Sequence, residues 1–185
     1  MARLRTKIQL ALVAAGMVVA VAAPPAGAQV PWGAGCRPTA NGATRTSGNC
    51  GAELIDGRAI APPAAPAAVK QVIAAANRID GRPYVWGGGH AGFRSKGYDC
   101  SGAVGYALHG AGLLETPIVS GQLAYWGDAG PGDWITVYAN AVHVFMVVAG
   151  LRFDTRGDLP GESGPRWKMA RADPRRFVAR HPPGL

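Results

Sequence analysis

The sequence predicts an α+β fold, with helices first and an antiparallel sheet after them. Three observations predict it. Val69, Val72, Ile73 and Ala76 recur at three- and four-residue steps, the period of a helix with one buried face. A cysteine then opens a second apolar helix. Beyond residue 132 the chain changes to short stretches rich in β-branched and aromatic residues, separated by turn signals.

The first helix is expected from residue 66, with Lys70, Asn77 and Arg78 on its outer face and Asp80-Gly81 ending it. The second is expected from Cys100 to about His109, with Gly110 and Gly112 to cap its end. Strands are expected at 133–138, 142–148 and 151–155, the last two joined by a turn at Ala149-Gly150. Phe177-Val178-Ala179 adds a short strand near the end.

The start of the second helix is the most informative place in the chain. Tyr98-Asp99-Cys100-Ser101-Gly102 puts a favoured N-cap residue directly before the cysteine. Cys100 then occupies the first helical position, where the helix dipole favours the anionic form of a thiol and free N–H groups can hold an oxyanion. A cysteine there can also be a small buried hydrophobe.

The chain has 185 residues and a formal net charge of +8. Arg3, Arg5 and Lys7 precede an apolar run from Ile8 to Val21, and Ala26-Gly27-Ala28 supplies a small-x-small cleavage pattern. Residues 1–28 are therefore expected to be a signal peptide. The apolar run is shorter than the roughly 20 residues that span a bilayer, so stable membrane insertion after cleavage is not expected. Residues 29–65 read as an irregular arm and a Pro/Ala-rich linker, and 66–185 as one domain. The scattered basic residues carry no nucleic-acid signature and suit anionic envelope polymers. No spacing fits zinc, no phosphate loop is visible, and no cofactor is expected.

Secretion places the three cysteines in an oxidising compartment. Cys36 and Cys50 bracket a Gly/Thr/Ser/Asn-rich loop, and a bridge between them would contribute roughly 3 kcal/mol by loop entropy. Cys100 is then left as an unpaired thiol.

Pro83-Tyr84-Val85-Trp86-Gly87-Gly88, then Asp99-Cys100-Ser101-Gly102, then His143-Val144 before an apolar run, resemble the NlpC-type cell-wall peptidases. The resemblance covers about residues 66–155. It implies a papain-like fold, Cys100 as nucleophile, His143 as its base, and Tyr84 beside the substrate carbonyl. Trp86, Ser101 and His90 are expected to contact substrate. His90 sits in a Gly-rich loop that orients a base poorly; His109 and His181 are placed elsewhere.

The third catalytic position departs from the family. Relatives place His, Asn or Gln about twelve residues after the base, where this chain has Thr155. A turn at Ala149-Gly150 instead puts Asp154 on the face of His143, by strand alternation. A one-residue bulge would substitute Thr155, and Asp154 could alternatively pair with Arg152 or Arg156 at the surface.

The resemblance implies a secreted, monomeric cysteine endopeptidase of the cell envelope. Its substrate would be peptidoglycan, its target an amide such as the D-glutamyl–diamino acid bond. An amidase or acyltransferase of the same fold, and a non-catalytic wall-binding module, are the alternatives.

Overall fold

The computed structural model describes residues 51–169 and 174–185. The basic-apolar N-terminal segment, its cleavage position and the Cys36–Cys50 pairing lie outside these residues. The described chain runs β1 (Glu53–Ile55), β2 (Arg58–Ile60), α1 (Ala67–Ile79), α2 (Cys100–His109) and α3 (Ser120–Leu123). It continues through β3 (Asp128–Ala129), β4 (Ile135–Ala139), β5 (Val144–Val148), β6 (Leu151–Arg156) and β7 (Ser163–Met169). A 3₁₀ turn at Pro174–Arg176 and β8 (Val178–His181) complete it.

Six strands form one sheet in the order β3-β8-β4-β5-β6-β7, and every pairing in it is antiparallel. Both α1 and α2 form as their sequences predict, and α2 lies between α1 and strands β5 and β6. Val69, Val72, Ile73 and Ala76 are all buried. The apolar side chains of α2 meet Val144, Met146, Val148 and Phe153 of the sheet in one core. This is the α+β class expected, with the cysteine helix packed on an antiparallel sheet.

The turn between β5 and β6 holds Ala149 at φ 46° and Gly150 at φ 90°. Two consecutive positive φ values match the right-handed twist of a two-residue hairpin. The register follows, with Val148 opposite Leu151, Val147 opposite Arg152 and Met146 opposite Phe153.

Residues 53–60 differ from the expectation of an arm and linker. They form an antiparallel hairpin about Asp56-Gly57 that seats on α1. Asn77, expected on the outer face of α1, holds it. The Asn77 amide donates to the Ala59 carbonyl at 2.8 Å and accepts from the Ala59 N–H at 3.1 Å. The same oxygen accepts from the Trp167 indole at 2.9 Å, so one side chain ties hairpin, helix and β7 together.

The segment before α2 is laced to the aromatic-glycine block. Tyr84 and Tyr98 form a parallel bridge, Tyr98 N–H donates to Pro83 O at 3.0 Å, and Asp99 N–H donates to Gly88 O at 3.3 Å. Glycine is required at the contact between them, because a Cβ on Gly102 would run into the Gly88 carbonyl. Both partners there are backbone, so neither can swing aside. Gly102→Ala should therefore destabilise the fold by about 1–3 kcal/mol, the usual cost of overpacking. Denaturant midpoints would read it, and an unchanged midpoint would show that the loop yields freely.

Candidate active site

Asp99 caps α2 from its own backbone position, φ −85° and ψ −175°. One carboxylate oxygen accepts the Gly102 N–H at 2.7 Å and the other accepts the Gly87 N–H at 3.0 Å. The cap thereby fixes both the helix start and the loop that carries Trp86 and His90. Cys100 is a free cysteine, largely buried, at the first helical position.

His143 lies at the mouth of β5, where a tight turn presents it. The Asn140 side chain accepts the N–H groups of Val142 and His143, each at 2.9 Å, and Asn140 N–H donates to His143 O at 3.0 Å. This is an Asx-type turn, and Asn140 has no counterpart in the sequence-based reading. Its signal was available as an asparagine between the Ala139 end of one strand and the start of the next.

The His143 ring meets Cys100 on one side and Asp154 on the other. Its Nε2 is 2.9 Å from Asp154 Oδ1, which leaves Nδ1 for the sulfur. Asp154 is 4% exposed, held also by the Arg156 N–H at 2.9 Å and by Arg152 Nε at 3.5 Å. The arginine pairing expected as a surface alternative is therefore buried and coexists with the histidine bond. Arg152 continues to Asp158 at 2.7 Å.

The bulge weighed for this strand occurs, but on the other side. It lies between Asp154 and Arg156 in the pairing of β6 with β7, so the β5–β6 register that brings Asp154 to His143 is kept. Thr155, which strand alternation puts on the face opposite Asp154, is buried and lines the cleft beside Cys100 and His143.

Burial alone would push the His143 imidazolium down. The hydrogen bonds to Asp154 and Cys100, with their charges, outweigh it and hold the ring's pKa at about 9. Asp154 shows the converse: burial raises it, but the bonds from His143 and the Arg156 N–H, with Arg152 nearby, leave it below the ordinary carboxylate value. A histidine raised from 6.5 to about 9 adds stability that is fully present below pH 6.5 and lost as pH rises through about 9. An NMR titration of the His143 ring should accordingly show its midpoint near pH 9. A midpoint near 6.5 would mean that the charged pair does not form.

Cys100 separates two clefts. One, of about 350 Å³, is lined by Tyr84, His143, Thr155, Arg156 and Glu162. The other, of about 450 Å³, is lined by Trp86, His90, Ser101, Val119 and Val142. Tyr84 is raised above the ordinary phenol value by burial and by the charges of Cys100 and Asp99, so it remains an O–H donor. Trp86 is 85% exposed at the rim.

His90 is not on the His143 side. Its Nε2 lies 3.1 Å from Asp99 and 3.2 Å from Ser101 Oγ, so the helix cap orients a ring that its loop alone would leave loose. The other histidines are elsewhere: His109 stacks on Phe93 and His181 Nδ1 is 3.0 Å from Gly130 O. No group of three or more potential metal ligands occurs among the described residues.

A thiol at a helix N-terminus, facing a sheet-borne imidazole that a carboxylate holds from behind, is the arrangement of a papain-like cysteine peptidase. Within that class the chain resembles the NlpC-type cell-wall peptidases, through the motifs around Tyr84, Cys100 and His143. No protein-family model matches it. It is 39% identical over 83 residues to the probable endopeptidase Rv2190c of Mycobacterium tuberculosis, a match covering 42% of this chain and 20% of that protein. The probable endopeptidase Mb2213c of Mycobacterium bovis matches to the same extent. The match thus spans a fifth of the length of these curated relatives. Among solved structures, the peptidoglycan hydrolase RipB of Mycobacterium tuberculosis is 28% identical, with 61% of this chain and 64% of that one covered and a TM-score of 0.47. Rv1477, a hypothetical invasion protein of the same organism, is 27% identical, with 61% of each chain covered and a TM-score of 0.45.

Proposed function

We propose that this chain is a cysteine endopeptidase that hydrolyses an amide bond in peptidoglycan stem peptides. The observation that carries the reading is the line Cys100, His143, Asp154, with Nε2 of the histidine 2.9 Å from the carboxylate. Cys100 attacks the amide carbonyl, and the carbon–nitrogen bond breaks as His143 gives its proton to the leaving amine. Water, deprotonated by His143, then hydrolyses the thioester and regenerates the thiol. The Tyr84 hydroxyl and the Cys100 amide at the first turn of α2 stabilise the oxyanion; both residues line the same cleft.

Peptidoglycan as substrate, and the D-glutamyl–diamino acid bond in particular, rest on the motif resemblance. The relatives named endopeptidases support the reaction class. Action outside the membrane is supported by the signal-like residues 1–28, and no helix among the described residues is long and apolar enough to cross a membrane. The non-catalytic alternative was motivated by Thr155 in the third position, and a buried Asp154 on the ring of His143 weighs against it. An amidase or acyltransferase would share the three residues and differ in its products.

The test is digestion of purified muropeptides by the chain, with mass spectrometry of the products. Release of a fragment with a new amine on the diamino acid is expected. Intact muropeptides, from protein whose Cys100 still reacts with an alkylating agent, would refute the substrate assignment.

A further inference from the structure

A cavity of about 620 Å³ opens where the end of α1 meets the end of α2, away from both clefts at Cys100. Arg78, Arg82 and Arg94 line it, and no carboxylate does. Arg78 Nε makes only a long contact, 3.5 Å, to the Tyr106 hydroxyl. Among the described residues none of the three arginines is in an ion pair. By contrast, Arg152 and Arg166 are each paired with an acid.

Three arginines line one concavity, so their like charges repel, and its low-dielectric wall concentrates their field. A bound counter-charge relieves that repulsion, and guanidinium forks match the paired oxygens of phosphate and carboxylate groups. The aromatic wall supplies shape rather than a stacking platform. Phe93 is already stacked on His109 with centroids 3.8 Å apart, and Tyr98 meets Tyr106 edge-on. With one face of Phe93 taken by His109 and Tyr98 buried, the wall offers little ring surface to a nucleobase, which disfavours single-stranded nucleic acid.

The cavity is joined to the catalytic cleft by the backbone. Tyr98 lines the cavity and pairs with Tyr84, which lines the cleft beside Cys100. We propose that this cavity is a binding site for an anionic polymer with repeated oxyanions, gripped by Arg78, Arg82 and Arg94, which holds the enzyme beside its substrate. Its ligand chemistry is an oxyanion on a polyol or sugar chain, either a phosphodiester or a carboxylate. The choice of a wall polymer rests on the envelope location proposed above, whereas binding itself does not.

The test uses the whole chain and three soluble probes of matched length: poly(glycerol phosphate), polygalacturonate and neutral dextran. Binding is measured by calorimetry at low and at raised salt. One or both charged probes should bind, more weakly as salt rises, and the stronger one identifies the source of the oxyanion. Arg82→Gln with Arg94→Gln should weaken that binding about tenfold or more, since two of three charge-assisted contacts are lost. Hydrolysis of a short soluble stem peptide should stay within about twofold, which also reports that the variant is folded. Equal binding by the double variant, equal binding of dextran, or no binding of either charged probe would overturn the proposal, whatever the outcome with muropeptides.

Discussion

Replacing Cys100 by alanine should abolish hydrolysis, with a loss of about 10⁴-fold or more and no loss of folding. Removing a nucleophile costs the covalent route as a whole, because the remaining groups act as a unit around it. No other side chain replaces it. Ser101 is one residue on, but its hydroxyl is turned to Asp99 at 3.2 Å and to His90, not to His143. Alanine fits the site, since the Cys100 side chain contributes little volume to the core and the Asp99 cap does not depend on it. The check is turnover on muropeptides together with a thermal melt. Retention of more than a hundredth of the activity in folded Cys100→Ala would remove Cys100 from the chemistry.

Much of this site was legible because it rests on local rules. The Asp99 cap places Cys100, and the side-chain period of two places Asp154 once the turn at Ala149-Gly150 is fixed. One residue of slip would have put Thr155 there instead. The turn could be fixed because a glycine stood where positive φ is needed.

What stayed hidden depends on distant partners. Asn77 looks like an outward polar residue by helical spacing, and only the hairpin and Trp167 show it to be a clamp. Arg152 alternates with Leu151 and Phe153 on β6, so the period of two alone marks it as outward; it is buried, and its charge is tolerated because Asp154 and Asp158 meet it. The hairpin carries a local signal, Asp56-Gly57 between two short apolar-containing runs. Its Gly- and Pro-rich surroundings hide that signal. β7 is hidden for a different reason, since Gly164 and Pro165 argue against a strand. At the edge of a sheet proline is tolerated, because no neighbour needs its missing N–H.

The second large effect separates the two roles behind the thiol. His143→Ala should cost turnover about 10³- to 10⁴-fold, because the cysteine loses its proton acceptor and the leaving amine its acid. Asp154→Asn should cost less, on the order of 10²- to 10³-fold, since the imidazole remains but its tautomer and charge lose their support. The amide keeps the shape of the carboxylate and can still accept the Arg156 N–H, so folding is retained; Arg152 keeps Asp158. Asp154→Asn has a second readout. Asp154 is a main cause of the raised His143 value, so in Asp154→Asn the midpoint of the ring should move from about 9 down toward the ordinary 6.5. Thr155→Val makes neither change, because Thr155 has no hydrogen bond to the ring. Rates of Asp154→Asn equal to the parent, with an unmoved His143 titration, would mean that the carboxylate serves Arg152 alone. Activity in His143→Ala with loss in His90→Ala would transfer the base to the opposite cleft, where His90 already holds Asp99 at the start of the same helix.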